Sequence, residues 1–230
     1  MTGDGSALHL VLSGDPGLYA IVRLSLLVSL SAVLFATLIG VPAGAALALI
    51  RFPGREAVTV LLNAMMGLPP VVVGLAIFLL LSHSGPLGSW GLLFTPQAMV
   101  IAQTVMVAPI IAALTRQTIE DLWVEYREEL AAMHVGAARR VATLIWDARF
   151  SLVTAFLAGF GRAAAEVGAI IIVGGNIDGF TRTMTTAIAL ETSKGDLPLA
   201  IGLGMVLIAI VIIINALAWA ARLAGERYAG

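Results

Sequence analysis

Long stretches without a charged residue dominate the chain and set the elements it predicts. A transmembrane helix needs about 20 mainly apolar residues, because each residue rises 1.5 Å through about 30 Å of hydrocarbon. Residues 24–50 are uncharged between Arg23 and Arg51, which predicts a first span over about 19–50. Residues 57–115 hold no Asp, Glu, Lys or Arg, and these 59 residues are too many for one crossing. The cluster Ser82-His83-Ser84-Gly85-Pro86-Leu87-Gly88-Ser89 reads as a turn that divides the run. Spans two and three are therefore predicted over about 57–81 and 95–115. Span four covers about 150–177, interrupted only by Arg162 and Glu166, and span five the uncharged residues 197–221. The expected fold class is an all-α membrane protein with five transmembrane helices, or six, in a single domain over 1–230 with a loop at 116–149.

Composition agrees with a lipid environment. The chain is 60% hydrophobic and 12% charged, with a mean hydropathy of +1.00, against about 25% charged residues in ordinary soluble domains. Surface-to-volume scaling lets a soluble chain of this length bury only about 70–75% of its surface, so the surplus apolar side chains must face lipid. The 13 basic and 14 acidic residues sum to −1, which argues against nucleic acid as a partner. With no cysteine, disulfides, thiolate metal sites and cysteine nucleophiles are excluded. The three histidines, His9, His83 and His134, stand alone, and no His-Glu-x-x-His occurs, so an intramembrane enzyme has no catalytic set to work with. Twelve of the 13 basic residues are Arg, and the single Lys194 is followed by Gly195. A phosphate-cradling Gly-Lys-Ser/Thr loop is therefore absent, and ATP hydrolysis by that route is excluded.

Charge also orients the spans. The segments 51–56, 116–149 and 222–230 carry nine Arg, whereas the alternate set carries Arg23, Arg182 and Lys194. Basic loops stay cytoplasmic, so the N-terminus is expected outside and the C-terminus inside. Residues 1–20 lack a basic segment ahead of an apolar core, so no cleavable signal peptide is expected.

Residues 115–149 are 35 of 230 positions yet hold 11 of the 27 charges. Good helix formers fill 120–133, Gly136 interrupts, and the helical pattern resumes from Ala137 to Arg149. The two readings open for this segment are a rigid knuckle offered to a protein partner and an ordinary solvated connector. Within span four, Arg162 and Glu166 stand four apart and can pair on one helix face. A charge at mid-bilayer costs about 2.5–3.5 kcal/mol on insertion scales, so the pair serves either packing or gating. Pro69 and Pro70 in span two and Pro109 in span three remove backbone donors and predict kinks. Such breaks either line a translocation pathway or serve packing alone. At the outer end of span four, Gly174-Gly175-Asn176-Ile177-Asp178-Gly179 with Thr181 and Arg182 is too polar for lipid. It is suited to contact an oxyanion or a partner protein, with a plain loop as the alternative. Residues 184–191 are expected as a short helix before span five, and Gly40 with Gly44 has the spacing of close helix packing.

The segment Glu129-Leu130-Ala131-Ala132-Met133-His134-Val135-Gly136 resembles the EAA loop of permease subunits of type I ABC importers. Here Leu130 occupies the position of the family's Glu, with Glu129 shifted by one, and Leu144 to Arg149 stands where the family has a Pro. The stretches Gly159-Phe160-Gly161-Arg162-Ala163-Ala164-Ala165-Glu166-Val167-Gly168-Ala169, Val173-Gly174-Gly175-Asn176-Ile177, Thr181-Arg182-Thr183-Met184-Thr185-Thr186 and Leu190-Glu191-Thr192-Ser193-Lys194-Gly195-Asp196 resemble the tungstate-type branch of oxyanion permeases. Molybdate and sulfate permeases are similar around Asn176 and Thr181 but lack the run from Leu190 to Asp196. The resemblance implies a multi-pass subunit of a prokaryotic cell (inner) membrane that forms the translocation pathway, with molybdate or another oxyanion as the alternative cargo. It also implies a homodimer, a separate ABC ATPase subunit and an extracytoplasmic oxyanion-binding protein. ATP and Mg would be held by the ATPase, leaving no cofactor in this chain. Coupling would fall to Glu129, Ala131, Ala132, His134, Gly136 and Ala137. Pathway or gate candidates are Pro69, Pro70, Pro109, Arg162, Glu166, Asn176, Thr181 and Arg182. A membrane scaffold or receptor without transport is the reading from a different class.

Overall fold

Nine α-helices follow one another in the computed structural model, which describes residues 16–229, with side chains over 17–220. His9, residues 1–15 of the stretch 1–20 in which no signal peptide is expected, and the side chains of Arg222 and Arg227 lie outside the described residues. The helices are α1 (Pro16–Leu49), α2 (Arg55–Met66), α3 (Pro70–Leu81), α4 (Pro96–Ala132), α5 (Ala137–Asp147), α6 (Arg149–Ala164), α7 (Gly168–Gly174), α8 (Met184–Lys194) and α9 (Leu197–Ala229). No strand occurs among the described residues. Helices α1, α4 and α9 are long and apolar enough to cross a membrane, and two broken pairs, α2 with α3 and α5 with α6, bring the candidates to five. Large apolar side chains such as Leu38, Ile39, Ile208 and Leu217 point outward from these helices, as lipid contact requires.

Several elements differ in detail from the sequence pattern. The predicted span two is two helices, because α2 stops at Gly67 and Pro69 caps α3 with Pro70 in its first turn, where a missing N–H costs nothing. Pro109 lies inside α4 without ending it, and α4 continues from the predicted span three through 116–132 as one 37-residue helix. Arg116 and Glu120 pair four residues apart at 2.5 Å across the expected boundary and support that continuation. Span four consists of α6, a break at 165–167, and the seven-residue α7.

The chain divides into two compact units. One comprises the described residues up to Ala32, with Pro69–Gln103 and the part from Gly161 onward. Within it α3 lies against α7 so closely that a Cβ on Gly74 would sit 2.7 Å from the Ala169 Cα, a small-residue contact that lets two backbones meet. Helix α8 packs on α9 through Met184, Ala187 and Leu203, and the Met184 N–H donates to the Ser25 hydroxyl of α1 at 2.7 Å.

The second unit comprises Val33–Leu68 and Thr104–Phe160. Its α1 segment meets α4 at Gly40 and Gly44, where added Cβ atoms would lie 3.0 Å from the Ala108 carbonyl oxygen and 2.4 Å from that of Ala112. The expected close packing of Gly40 and Gly44 is thus present within the chain. A core of Ala45, Ala48, Ile119, Leu130, Leu144 and Ala148 joins α1, α4, α5 and the junction between α5 and α6.

Candidate functional site

The knuckle in the second unit begins where α4 ends. The N–H groups of Met133, His134 and Val135 donate back to the Glu129, Ala131 and Leu130 carbonyls, satisfying acceptors a helix end otherwise leaves open. His134 takes a positive φ of 53° to make the turn, and its Nδ1 lies 3.0 Å from the Ala132 carbonyl oxygen. Gly136 caps α5 in an extended conformation that any residue adopts, and a Cβ there would meet nothing within 4 Å. Leu130 is buried in the core while Glu129, Ala131, Ala132, His134, Gly136 and Ala137 are exposed together with Met133. Leu130 therefore anchors the turn, and Glu129 is the acid that faces outward.

Two polar networks hold the knuckle. Arg140 donates to the Val135 carbonyl at 3.1 Å and stacks 5.1 Å from the Trp123 ring, which fixes the first turn of α5 on α4. Glu120 binds both Arg116 and Arg55, and Arg55 Nε donates to the Leu47 carbonyl at the end of α1 at 2.6 Å. The Arg55–Glu120 pair escaped the sequence reading because its partners lie 65 residues apart. The Glu125 carboxylate, with burial and then Asp147 and Glu129, pushes the Tyr126 hydroxyl above its ordinary pKa, which marks this side of the knuckle as acidic.

The other unit holds the break after α6. Glu166 is 2% exposed. Its Oε1 accepts the Ala169 N–H at 3.1 Å, and its Oε2 lies 3.4 Å from Arg162 Nη1. The Glu166 backbone carbonyl accepts from the Thr185 hydroxyl at 2.7 Å, and Gln103 Nε2 donates to the Ala163 carbonyl at 2.8 Å. The carbonyls exposed by the break thus find side-chain donors on α8 and α4, as a helix interruption in an apolar setting requires. Gln103 Oε1 and Glu166 Oε2 are buried without a hydrogen-bond partner among the described residues. Gln103 and Thr185 are site residues the sequence reading missed. The signal for Gln103 was an amide in the middle of the uncharged run predicted as span three.

The loop after α7 spends its own donors. The Thr181 hydroxyl donates to the Gly174 carbonyl at 2.6 Å and accepts the Ile177 N–H at 2.9 Å. Arg182 Nη1 pairs with Asp178 at 3.0 Å. Asn176 holds a positive φ of 49° with its Oδ1 buried and unpartnered among the described residues. Pro69 and Pro70 stand at the head of α3, and Pro109 lies inside α4. The described residues contain no cluster of His, Asp and Glu able to hold a metal ion.

Five candidate spans, with a broken helix braced by buried polar side chains, mark a multi-pass membrane component. A family model, the binding-protein-dependent transport system inner membrane component, matches residues 36–224. The chain belongs to that family, the type I permeases of ABC transporters, and is an inner-membrane component. It is 41% identical over 206 residues to a probable anion ABC transporter permease protein of Haloferax volcanii, covering 87% of this chain and 88% of the relative. It is 38% identical to the tungstate uptake system permease protein TupB of Peptoclostridium acidaminophilum, over 93% of this chain and 94% of that protein. The molybdenum transport system permease protein ModB of Escherichia coli is 30% identical over 93% of this chain and 97% of its own length.

Proposed function

We propose that this chain forms the membrane pathway of an ATP-driven importer for an oxyanion, tungstate first and molybdate or another oxyanion second. It works as a homodimer in lipid, with its N-terminus outside and its C-terminus in the cytoplasm, and all five spans belong to one permease domain over 1–230. A separate ATPase subunit binds ATP and Mg and docks on Glu129, Ala131, Ala132, His134, Gly136 and Ala137. The chain itself contributes no ATPase site and no cofactor. An extracytoplasmic binding protein delivers the anion on the side of Asn176, Thr181 and Arg182. The observation that carries this reading is the exposed knuckle, where small side chains and Met133 leave room for a partner while Leu130 ties the turn to the core. The names of the relatives support the cargo. Arg162 and Glu166, at the break in span four, and Pro69, Pro70 and Pro109 are the points at which the pathway flexes or is gated.

Gly136→Trp tests the docking. Open space surrounds this position and its φ of −65° suits any residue, so the variant should insert and fold. Substrate-stimulated ATP hydrolysis by the reconstituted complex should fall at least tenfold. Hydrolysis at the wild-type rate removes the knuckle from the coupling mechanism.

A further inference from the structure

The second unit contains a groove of about 640 Å³ along the junction of α5 and α6, where the chain bends by 66°. Its wall includes Thr37, Ile145, Trp146, Leu152, Val153 and Phe156, and Arg149 is the one charged residue in it. Among the described residues Arg149 makes no ion pair. Its guanidinium stacks 5.0 Å from the Trp146 ring and 4.6 Å from the Phe150 ring, and its Nη1 donates to the Trp146 carbonyl at 2.8 Å. Two aromatic faces hold the cation at the groove while most of its five N–H donors remain for a ligand. The Thr37 hydroxyl donates to the Val33 carbonyl of its own helix at 2.7 Å.

The occupant must therefore be apolar along most of its length and anionic at one end. An extended peptide would bring backbone N–H and C=O groups that this wall cannot satisfy, each at a cost of desolvation. A hydrocarbon chain brings none. Trp146 is two-thirds exposed, and tryptophan is the side chain that settles at headgroup level, with its ring amphipathic between lipid and water. We infer that the groove binds an anionic phospholipid, its acyl chain lying along Ile145, Leu152, Val153 and Phe156 and its phosphate paired with Arg149.

The test uses the full chain in phosphatidylcholine vesicles, with brominated phosphatidylglycerol or brominated phosphatidylcholine as quencher. The Trp146 signal is the difference between wild type and Trp146→Phe. Brominated phosphatidylglycerol should quench it at a mole fraction about fivefold lower than brominated phosphatidylcholine, which corresponds to the roughly 1 kcal/mol expected for one basic residue at an anionic lipid. Arg149→Gln should erase the preference and Arg149→Lys should keep part of it. Val153→Phe, which fills the groove and leaves the guanidinium in place, should weaken quenching by both lipids, and it stands in if Arg149→Gln does not insert. Equal quenching by the two lipids in wild type, or an unchanged preference in Arg149→Gln, overturns the assignment. So does a Trp146 that neither lipid reaches, which would mean that a second copy of the chain covers the groove.

Discussion

Gly44→Ala probes the packing on which the knuckle stands. A Cβ at position 44 would lie 2.4 Å from the Ala112 carbonyl oxygen, 2.8 Å from the Thr115 Cβ and 3.0 Å from the Arg116 nitrogen. Real Cβ atoms keep at least 3.0 Å from such neighbours, so α1 and α4 must part by 3.0 − 2.4 = 0.6 Å or more at this point. Two of the three contacts are backbone atoms, which cannot rotate away. Overpacking of this kind costs about 1–3 kcal/mol, while alanine in a helix returns about 1 kcal/mol over glycine. The net expectation is a loss of up to about 2 kcal/mol. Gly204→Ala is the internal control, because a Cβ at Gly204 in α9 meets nothing within 4 Å and only the helix gain remains. Heating the purified protein in detergent and following its helical signal should rank the midpoints Gly204→Ala above wild type and Gly44→Ala below it. If Gly44→Ala unfolds at or above the wild-type midpoint, α1 and α4 do not meet at these glycines and the reasoning fails.

Other perturbations address the polar sites. Glu166→Ala strips the acceptor from the Ala169 N–H and the counter-charge from Arg162, whose side chain is one-third exposed, and should cost about 1–3 kcal/mol. Glu166→Gln keeps one acceptor and should retain measurably more folded protein in size-exclusion analysis; equal losses would deny the hydrogen bond its role. Gln103→Leu removes the donor to the Ala163 carbonyl and should lower stability by about 1–3 kcal/mol, with an unchanged melting midpoint as the contrary result. Glu120→Ala unties Arg55 from Arg116 at a half-exposed site and should cost about 1 kcal/mol. That loss should shrink in high salt, and a salt-independent loss would assign it to packing.

The spans, the break before Pro70 and the knuckle around Gly136 were legible because each depends on neighbours in the chain. Lipid demands long uncharged runs, proline lacks a donor, and clustered charge needs water. The same locality explains why Gly40 and Gly44 could be marked as a packing face but not assigned a partner. Only the folded chain places Ala112 and Thr115 opposite Gly44, and only there does Leu130 turn inward while Glu129 faces out. Tertiary structure likewise brings Thr185 to the Glu166 carbonyl and Arg55 to Glu120, across 19 and 65 residues, and turns the Thr181 hydroxyl back on its own loop. Hydrophobic period reports which face of a helix is apolar. The particular donor that reaches a broken carbonyl is decided by where distant helices meet, since a polar group withdrawn from water must find its partner among whatever the fold places beside it.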